Sequence, residues 1–116
     1  MDKNLARKKF EQALEQHEPE FEKFFLSRFF DLNISYGEET CVVEVDVEDY
    51  MFNPQGTLHG GVIAFIMDVS MGHLCKKHLG TCVTLEMKTQ FLKGVKGGKV
   101  TCEARFLKKG KTMVYV

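Results

Sequence analysis

The stretch NPQGTLHGGVIAFIMD, residues 53–68, leads from a turn into the most apolar part of the chain and so predicts its central element. Its first four residues, Asn-Pro-Gln-Gly, are typical of a turn. From residue 60 to residue 77, apolar side chains cover nearly the whole circumference of a helix, and a helix of this kind is buried. The helix finishes in Lys76, Lys77 and His78, and Gly80 then ends it. We therefore predict a central buried helix over 60–77.

The segments around this helix alternate apolar and polar residues, which is the pattern of strands with one face on a core. The alternating stretches are residues 39–48, 83–91 and 100–106, and a further strand begins within 112–116. A sparse apolar stripe over residues 3–16 predicts an amphipathic surface helix that ends before Pro19. The sequence thus predicts a single α+β domain over residues 1–116, in which an antiparallel sheet wraps the central helix.

The composition is that of one small domain, with 116 residues and 16 basic side chains balanced by 16 acidic ones. Net charge therefore gives no argument for a nucleic-acid or membrane partner. The longest apolar run, Val62–Met67, is too short to cross a bilayer, and the N-terminus lacks the apolar core of a signal peptide. The four cysteines are widely spaced without a CxxC pair, as is typical of reduced thiols. We predict a cytoplasmic protein.

Asp68 and Gly60 carry the chemistry of the opening stretch. A buried carboxylate must pair or serve a function, so residue type leaves Asp68 open between a structural hydrogen bond and a general base or nucleophile. Gly60 and Gly61 stand at the helix start, where unpaired backbone N–H groups suit a carbonyl oxygen. Along one helix Gly60 and Asp68 are about 12 Å apart. If both serve one site, that site lies between two antiparallel helices at a dimer interface.

Several motifs together resemble the hot-dog-fold acyl-CoA thioesterases, and among them the phenylacetate-degradation type and the general acyl-CoA thioesterases. The residues that carry the resemblance are Asn53, Gly56, His59-Gly60-Gly61, Asp68, Val83 to Met87 and Gly110-Lys111. The resemblance covers about residue 36 to the end of the sequence. It implies a long helix wrapped by a curved antiparallel sheet, and homodimers with antiparallel helices that often pair into tetramers.

The resemblance also implies roles for individual residues. Asp68 matches the catalytic carboxylate, acting as general base or nucleophile, and Gly60 matches the residue whose N–H polarises the thioester carbonyl. His59 and Asn53 match residues that help to place the thioester and the attacking water. Thr84 matches a position near that water, although its alternation places it on the polar side of its predicted strand. The resemblance further implies a full strand after residues 112–116, whereas the sequence stops at residue 116, so that strand region is expected to be truncated.

Two groups of residues are candidates for binding the substrate. The aromatic cluster of residues 21–30, including Phe24 and Phe25, either seals one end of the core or lines an acyl pocket. Lys93 and Lys96, near a glycine-rich turn, either face solvent or meet the phosphates of coenzyme A. The histidines of a possible His-Cys-His metal site are five residues apart and lack a fourth ligand, which argues against metal.

The function that these features favour is hydrolysis of an acyl-CoA thioester to a free acid and coenzyme A, without a metal or redox cofactor. The alternative is a non-catalytic acyl-CoA-binding or sensing module on the same fold. A hydratase of this fold also sets a histidine against an acid, but the spacing of His59 and Asp68 fits the thioesterases better. The acyl group stays open between aryl, short-chain and medium-chain acids.

Overall fold

The computed structural model describes residues 1–116 and contains three α-helices, five β-strands and a single 3₁₀ turn. The helices are α1 (Lys3–Gln16), α2 (Phe25–Phe29) and α3 (Gly60–His78), the strands are β1 (Asn33–Gly37), β2 (Thr40–Asp46), β3 (Lys99–Arg105), β4 (Lys108–Lys109) and β5 (Val114–Tyr115), and the turn is Asp49–Met51. The predicted α+β class is confirmed. None of the helices is long and apolar enough to cross a membrane.

The main sheet has three antiparallel strands in the order β1-β2-β3, and β4 and β5 form a separate hairpin. The alternation predicted for the first strand is confirmed, because Cys41, Val43 and Val45 of β2 are all fully buried. In the register of β2 and β3, Cys41 lies opposite Ala104, which is also buried. One face of the sheet therefore packs on α3 and forms the core with it.

Helix α3 confirms the predicted central helix and its end at Gly80. The N–H groups of Leu79 and Gly80 both donate to the Cys75 carbonyl, and Gly80 has a φ of 114°, a conformation that glycine adopts readily. The prediction that α3 is buried all round is wrong within one chain. The sheet covers one face, including Ile66 and Leu74, while most of the other apolar side chains of its first half are only half-buried.

The prediction of a strand over residues 83–91 is wrong, because the chain contains no strand between α3 and β3. Residues 81–92, here called the return segment, run back along α3 without a neighbouring strand to accept their hydrogen bonds. Val83 is 83% exposed and Leu85 78% exposed. The alternation is genuine, but a strand needs a paired neighbour, and none of the strands of the chain lies beside this segment.

The N-terminal residues form the predicted surface helix and then cross α3. Asp2 caps α1, because its Oδ1 accepts hydrogen bonds from the N–H groups of Asn4 and Leu5 at 3.0 Å. Helix α1 packs against α2, where the ring of Phe10 meets that of Phe25 edge-on. Between the two helices, residues 18–24, here called the strap, pass over the C-terminal half of α3.

Candidate active site

Asp68 lies on α3 and is held by Thr84 of the return segment. Thr84 Oγ1 donates a hydrogen bond to Asp68 Oδ1 at 2.7 Å. The structure therefore brings these two predicted site residues together within one chain. Asp68 is half-buried rather than buried as predicted, because the return segment covers it on one side only. Its second carboxylate oxygen has no hydrogen-bond partner in the chain and can accept a proton or a hydrogen bond from a ligand.

A groove of about 390 Å³ opens beside Asp68 and is here called the Asp68 groove. Phe21 and Phe24 of the strap form one wall, and Val69 and Gly72 of α3 contribute to the other side. The carboxylate thus stands at the edge of a partly apolar cavity, an arrangement that binds an apolar group next to a reactive one.

Gly60 provides the one backbone donor in the first turn of α3 that has no partner in the chain. The N–H of Gly61 donates to Nδ1 of His59 at 2.8 Å, and those of Val62 and Ile63 donate to the His59 carbonyl. No acceptor faces the N–H of Gly60. Since the first N–H groups of a helix carry partial positive charge, this donor suits a carbonyl oxygen or an oxyanion.

His59 and Asn53 shape the turn that presents this donor. His59 is exposed and caps α3 through its Nδ1, so its ring orders the helix start. Asn53 Oδ1 accepts hydrogen bonds from the N–H groups of Gln55 at 2.9 Å and Thr57 at 3.2 Å. These bonds fix residues 53–57 in a turn that sequence reasoning predicted from Pro54 and Gly56.

A second groove, of about 340 Å³, lies in front of Gly60 and is here called the Gly60 groove. Asn53, Phe91 and Lys93 line it together with Gly60, and the Phe91 ring lies 3.4 Å from the position that a Cβ on Gly60 would take. The two grooves share no lining residue. Within one chain, therefore, the candidate base and the candidate carbonyl-binding donor face different cavities.

The predicted substrate-binding residues divide between these grooves and other places. Phe24 lines the Asp68 groove and Lys93 lines the Gly60 groove. Phe25 lines neither groove, and its ring packs between Phe10 of α1 and Phe29 of α2. Lys96 is exposed on the turn before β3 and also lies outside both grooves.

The sequence presents His73 only as a possible metal ligand, whereas the structure buries it beside the Asp68 groove. Its Nε2 accepts a hydrogen bond from the N–H of Glu22 at 3.1 Å, and its Nδ1 donates to the Val69 carbonyl at 2.8 Å. Burial lowers the pKa of His73, against smaller opposing effects of the Val69 carbonyl and the Glu22 carboxylate. No local pattern signals this bond, because its partners are 51 residues apart.

Acid is expected to destabilise the protein through His73. The unfolded chain takes up a proton at this histidine near pH 6.5, whereas the folded chain resists protonation until a lower pH. The stabilisation is therefore complete above pH 6.5 and declines as the pH falls below it. Urea unfolding midpoints at about pH 7.5 and about pH 5.5 measure this decline.

Two variants separate His73 from other titrating groups. His73→Gln should lower the urea unfolding midpoint at about pH 7.5. It should also reduce the difference between the midpoints at about pH 7.5 and about pH 5.5. His17→Gln, at the exposed end of α1, is the matched control and should keep the wild-type dependence. A full wild-type dependence in His73→Gln would contradict this assignment.

Comparison with known proteins matches residues 55–116 to the thioesterase superfamily. Acyl-coenzyme A thioesterase 13 from Mus musculus is 31% identical over 71% of this chain and 61% of its own length. The chain thus spans about three fifths of the length of this curated relative. A thioesterase from Haemophilus influenzae, solved as a crystal structure, is 28% identical with a TM-score of 0.66, covering 71% of this chain and 60% of its own.

The fold is also that of a more distant protein. The PaaI protein from the phenylacetic acid degradation operon of E. coli superposes with a TM-score of 0.73 at 21% identity, covering 89% of this chain and 76% of its own. This likeness concerns the fold alone. Together with the matched superfamily, it confirms the predicted hot-dog architecture.

Proposed function

The chain belongs to the thioesterase superfamily, and we propose that it hydrolyses acyl-CoA thioesters to a free acid and coenzyme A. The observation that carries the proposal is the Asp68 carboxylate, oriented by Thr84 at 2.7 Å and open to a partly apolar groove. A thioester carbonyl placed at that edge meets a carboxylate with one oxygen held and the other free. Acyl-coenzyme A thioesterase 13, the curated mouse relative, is named for this reaction.

In the proposed reaction Asp68 acts on the thioester carbon in one of two ways. As general base, its free oxygen takes a proton from water while the water oxygen bonds to the carbonyl carbon. As nucleophile, the same oxygen attacks that carbon directly, and water then cleaves the resulting anhydride. In either case the C–S bond breaks and coenzyme A leaves as a thiol after it takes up a proton.

The carbonyl oxygen gains negative charge in this step and needs a hydrogen-bond donor. We assign that role to the free N–H of Gly60 of a second copy of the chain, since the two grooves of one chain are separate. Antiparallel packing of two α3 helices would bring each Asp68 groove to the other chain's Gly60 groove. The half-buried face of α3 and the exposed apolar side chains of the return segment support such a homodimer, which the resemblance extends to a dimer of dimers.

The remaining substrate contacts follow from the same arrangement. Lys93 brings a positive charge to the Gly60 groove, and an ammonium group there suits the phosphates of coenzyme A. Phe24 brings an aromatic ring to the Asp68 groove and suits the acyl group. In this proposal the thioester therefore spans the boundary between two chains.

A panel of acyl-CoA substrates tests the function, with release of free thiol as the readout. The protein should release thiol from at least one acyl-CoA at a rate that saturates with substrate concentration. Saturable binding without release for every chain length would establish the non-catalytic acyl-CoA-binding module instead. Light scattering on the same sample tests the shared site, because a monomer that hydrolyses thioesters would contradict it.

A further inference from the structure

Gly72 is a glycine in the interior of α3 that the packing of the chain does not require. Glycine inside a helix is destabilising relative to alanine, so its presence needs a reason. A Cβ on Gly72 would meet no heavy atom within 4 Å. The space in front of Gly72 is therefore open, and what needs that space is not another part of this chain.

The open space belongs to the Asp68 groove. Gly72 follows Asp68 by four residues, so both lie on the same face of α3, about 6 Å apart along the helix axis. A group that starts at Asp68 and runs along the helix surface passes directly over Gly72. The bare backbone at this point allows closer approach than any other residue type would.

Aromatic rings wall the groove on the side of the strap, and α3 holds them in place. The Phe21 ring meets the His73 ring edge-on at 4.9 Å, and the Phe24 ring meets Phe65 edge-on at 6.5 Å. The hydrogen bond from the Glu22 N–H to His73 ties the strap between these two rings to the helix. The groove thus has two aromatic rings fixed on one side and, at Gly72, a point on α3 without a side chain.

We propose that the acyl group of the substrate lies over Gly72 between Phe21 and Phe24, and that Gly72 is a specificity-determining residue for acyl length. This inference rests on the proposed thioesterase function. An acyl group must extend about 6 Å beyond Asp68 to reach Gly72. A butyryl group is too short for this, whereas an octanoyl group passes over the glycine. The substrate class is therefore an acyl-CoA with a medium-length apolar chain.

Substitution of Gly72 by a larger residue tests the proposal. In Gly72→Leu, kcat/KM for octanoyl-CoA should fall at least about tenfold, as expected when a side chain fills a substrate pocket. The value for butyryl-CoA should fall less than that for octanoyl-CoA, because the shorter chain ends before it reaches Gly72, so the ratio of the two kcat/KM values falls. Gly72→Ala should show a smaller change in the same direction, with an unchanged or higher Tm because the helix loses its glycine.

Gly97→Leu is the matched control, since Gly97 also has open space around its Cβ position but lies outside both grooves. This variant should leave the ratio of kcat/KM for octanoyl-CoA to kcat/KM for butyryl-CoA unchanged. Equal losses for both substrates in Gly72→Ala, or no change in Gly72→Leu, would overturn the proposal. Light scattering identifies a Gly72 variant that loses activity by dissociation, and such a result would also overturn it.

The experiment also separates this proposal from the proposed function. If wild type releases no thiol from any acyl-CoA, the thioesterase function fails. The rise in Tm on addition of free octanoate then tests whether an acyl chain binds at Gly72. Protection of wild type but not of Gly72→Leu supports an acyl site at Gly72. Equal protection of both proteins, or of neither, overturns it.

Discussion

Asp68→Asn is expected to lower kcat for acyl-CoA hydrolysis at least about a hundredfold, because the amide can neither take a proton from water nor attack the thioester. The fold should be kept, since the amide oxygen can still accept the hydrogen bond that Thr84 donates to the carboxylate. Thiol release at saturating substrate measures the loss. Asp46→Asn, at an exposed carboxylate at the end of β2, is the matched control and should keep wild-type activity.

Isotope labelling of the wild-type protein distinguishes the two roles of Asp68. A single turnover in ¹⁸O-labelled water places the label in the released acid if Asp68 is a general base. It places the label in the Asp68 carboxylate only if Asp68 is the nucleophile and water cleaves the anhydride at the aspartyl carbon. An unchanged kcat in Asp68→Asn would rule out both roles.

Gly60→Pro is expected to lower kcat about a hundredfold to a thousandfold, as does removal of one oxyanion donor elsewhere. Proline lacks an N–H and is well tolerated as the first residue of a helix, the position that Gly60 occupies. The preceding residue, His59, already has the extended backbone that proline demands of its neighbour. The substitution therefore deletes one free donor without breaking a hydrogen bond of the chain.

Gly60→Ala is the control for size, because it keeps the N–H and its Cβ would meet the Phe91 ring at 3.4 Å, an ordinary contact distance. It should retain most of the wild-type kcat. If Gly60→Ala and Gly60→Pro lose activity equally, space at this position matters and the N–H does not.

Mixing the two inactive variants tests whether each site uses two chains. In a heterodimer of Asp68→Asn with Gly60→Pro, one site carries both changes and the other carries neither. Random reassociation of equal amounts should restore about a quarter of the wild-type rate. A site built from one chain would give no restoration, since every site would then contain one of the changes.

The parts of the fold that could be predicted from the sequence depend on local pattern. The apolar run predicts α3, strict alternation predicts β2, and Gly80 predicts the helix end. The strand predicted over 83–91 is absent because strand formation depends on a neighbour elsewhere, which alternation cannot reveal.

The candidate site shows the same division. The sequence marks Asp68 because a charge interrupts an apolar helix, and Gly60 because glycine begins that helix. The contact between Thr84 and Asp68 joins residues 16 apart, and no helical or strand spacing links them. Gly72, by contrast, follows Asp68 by four residues on the same helix, so helical spacing alone places the two residues on one face.

The return segment contains charged residues that oppose the association of many copies of the chain into fibrils. An exposed apolar segment with unpaired backbone groups is a template for stacking of many copies into fibrils. Glu86 and Lys88 interrupt its apolar residues and pair with each other at 3.5 Å while remaining 71% and 90% exposed. In-register stacking of identical segments would place like charges on top of one another at both positions. These two residues therefore oppose fibril growth while leaving the apolar side chains available to one well-oriented neighbour.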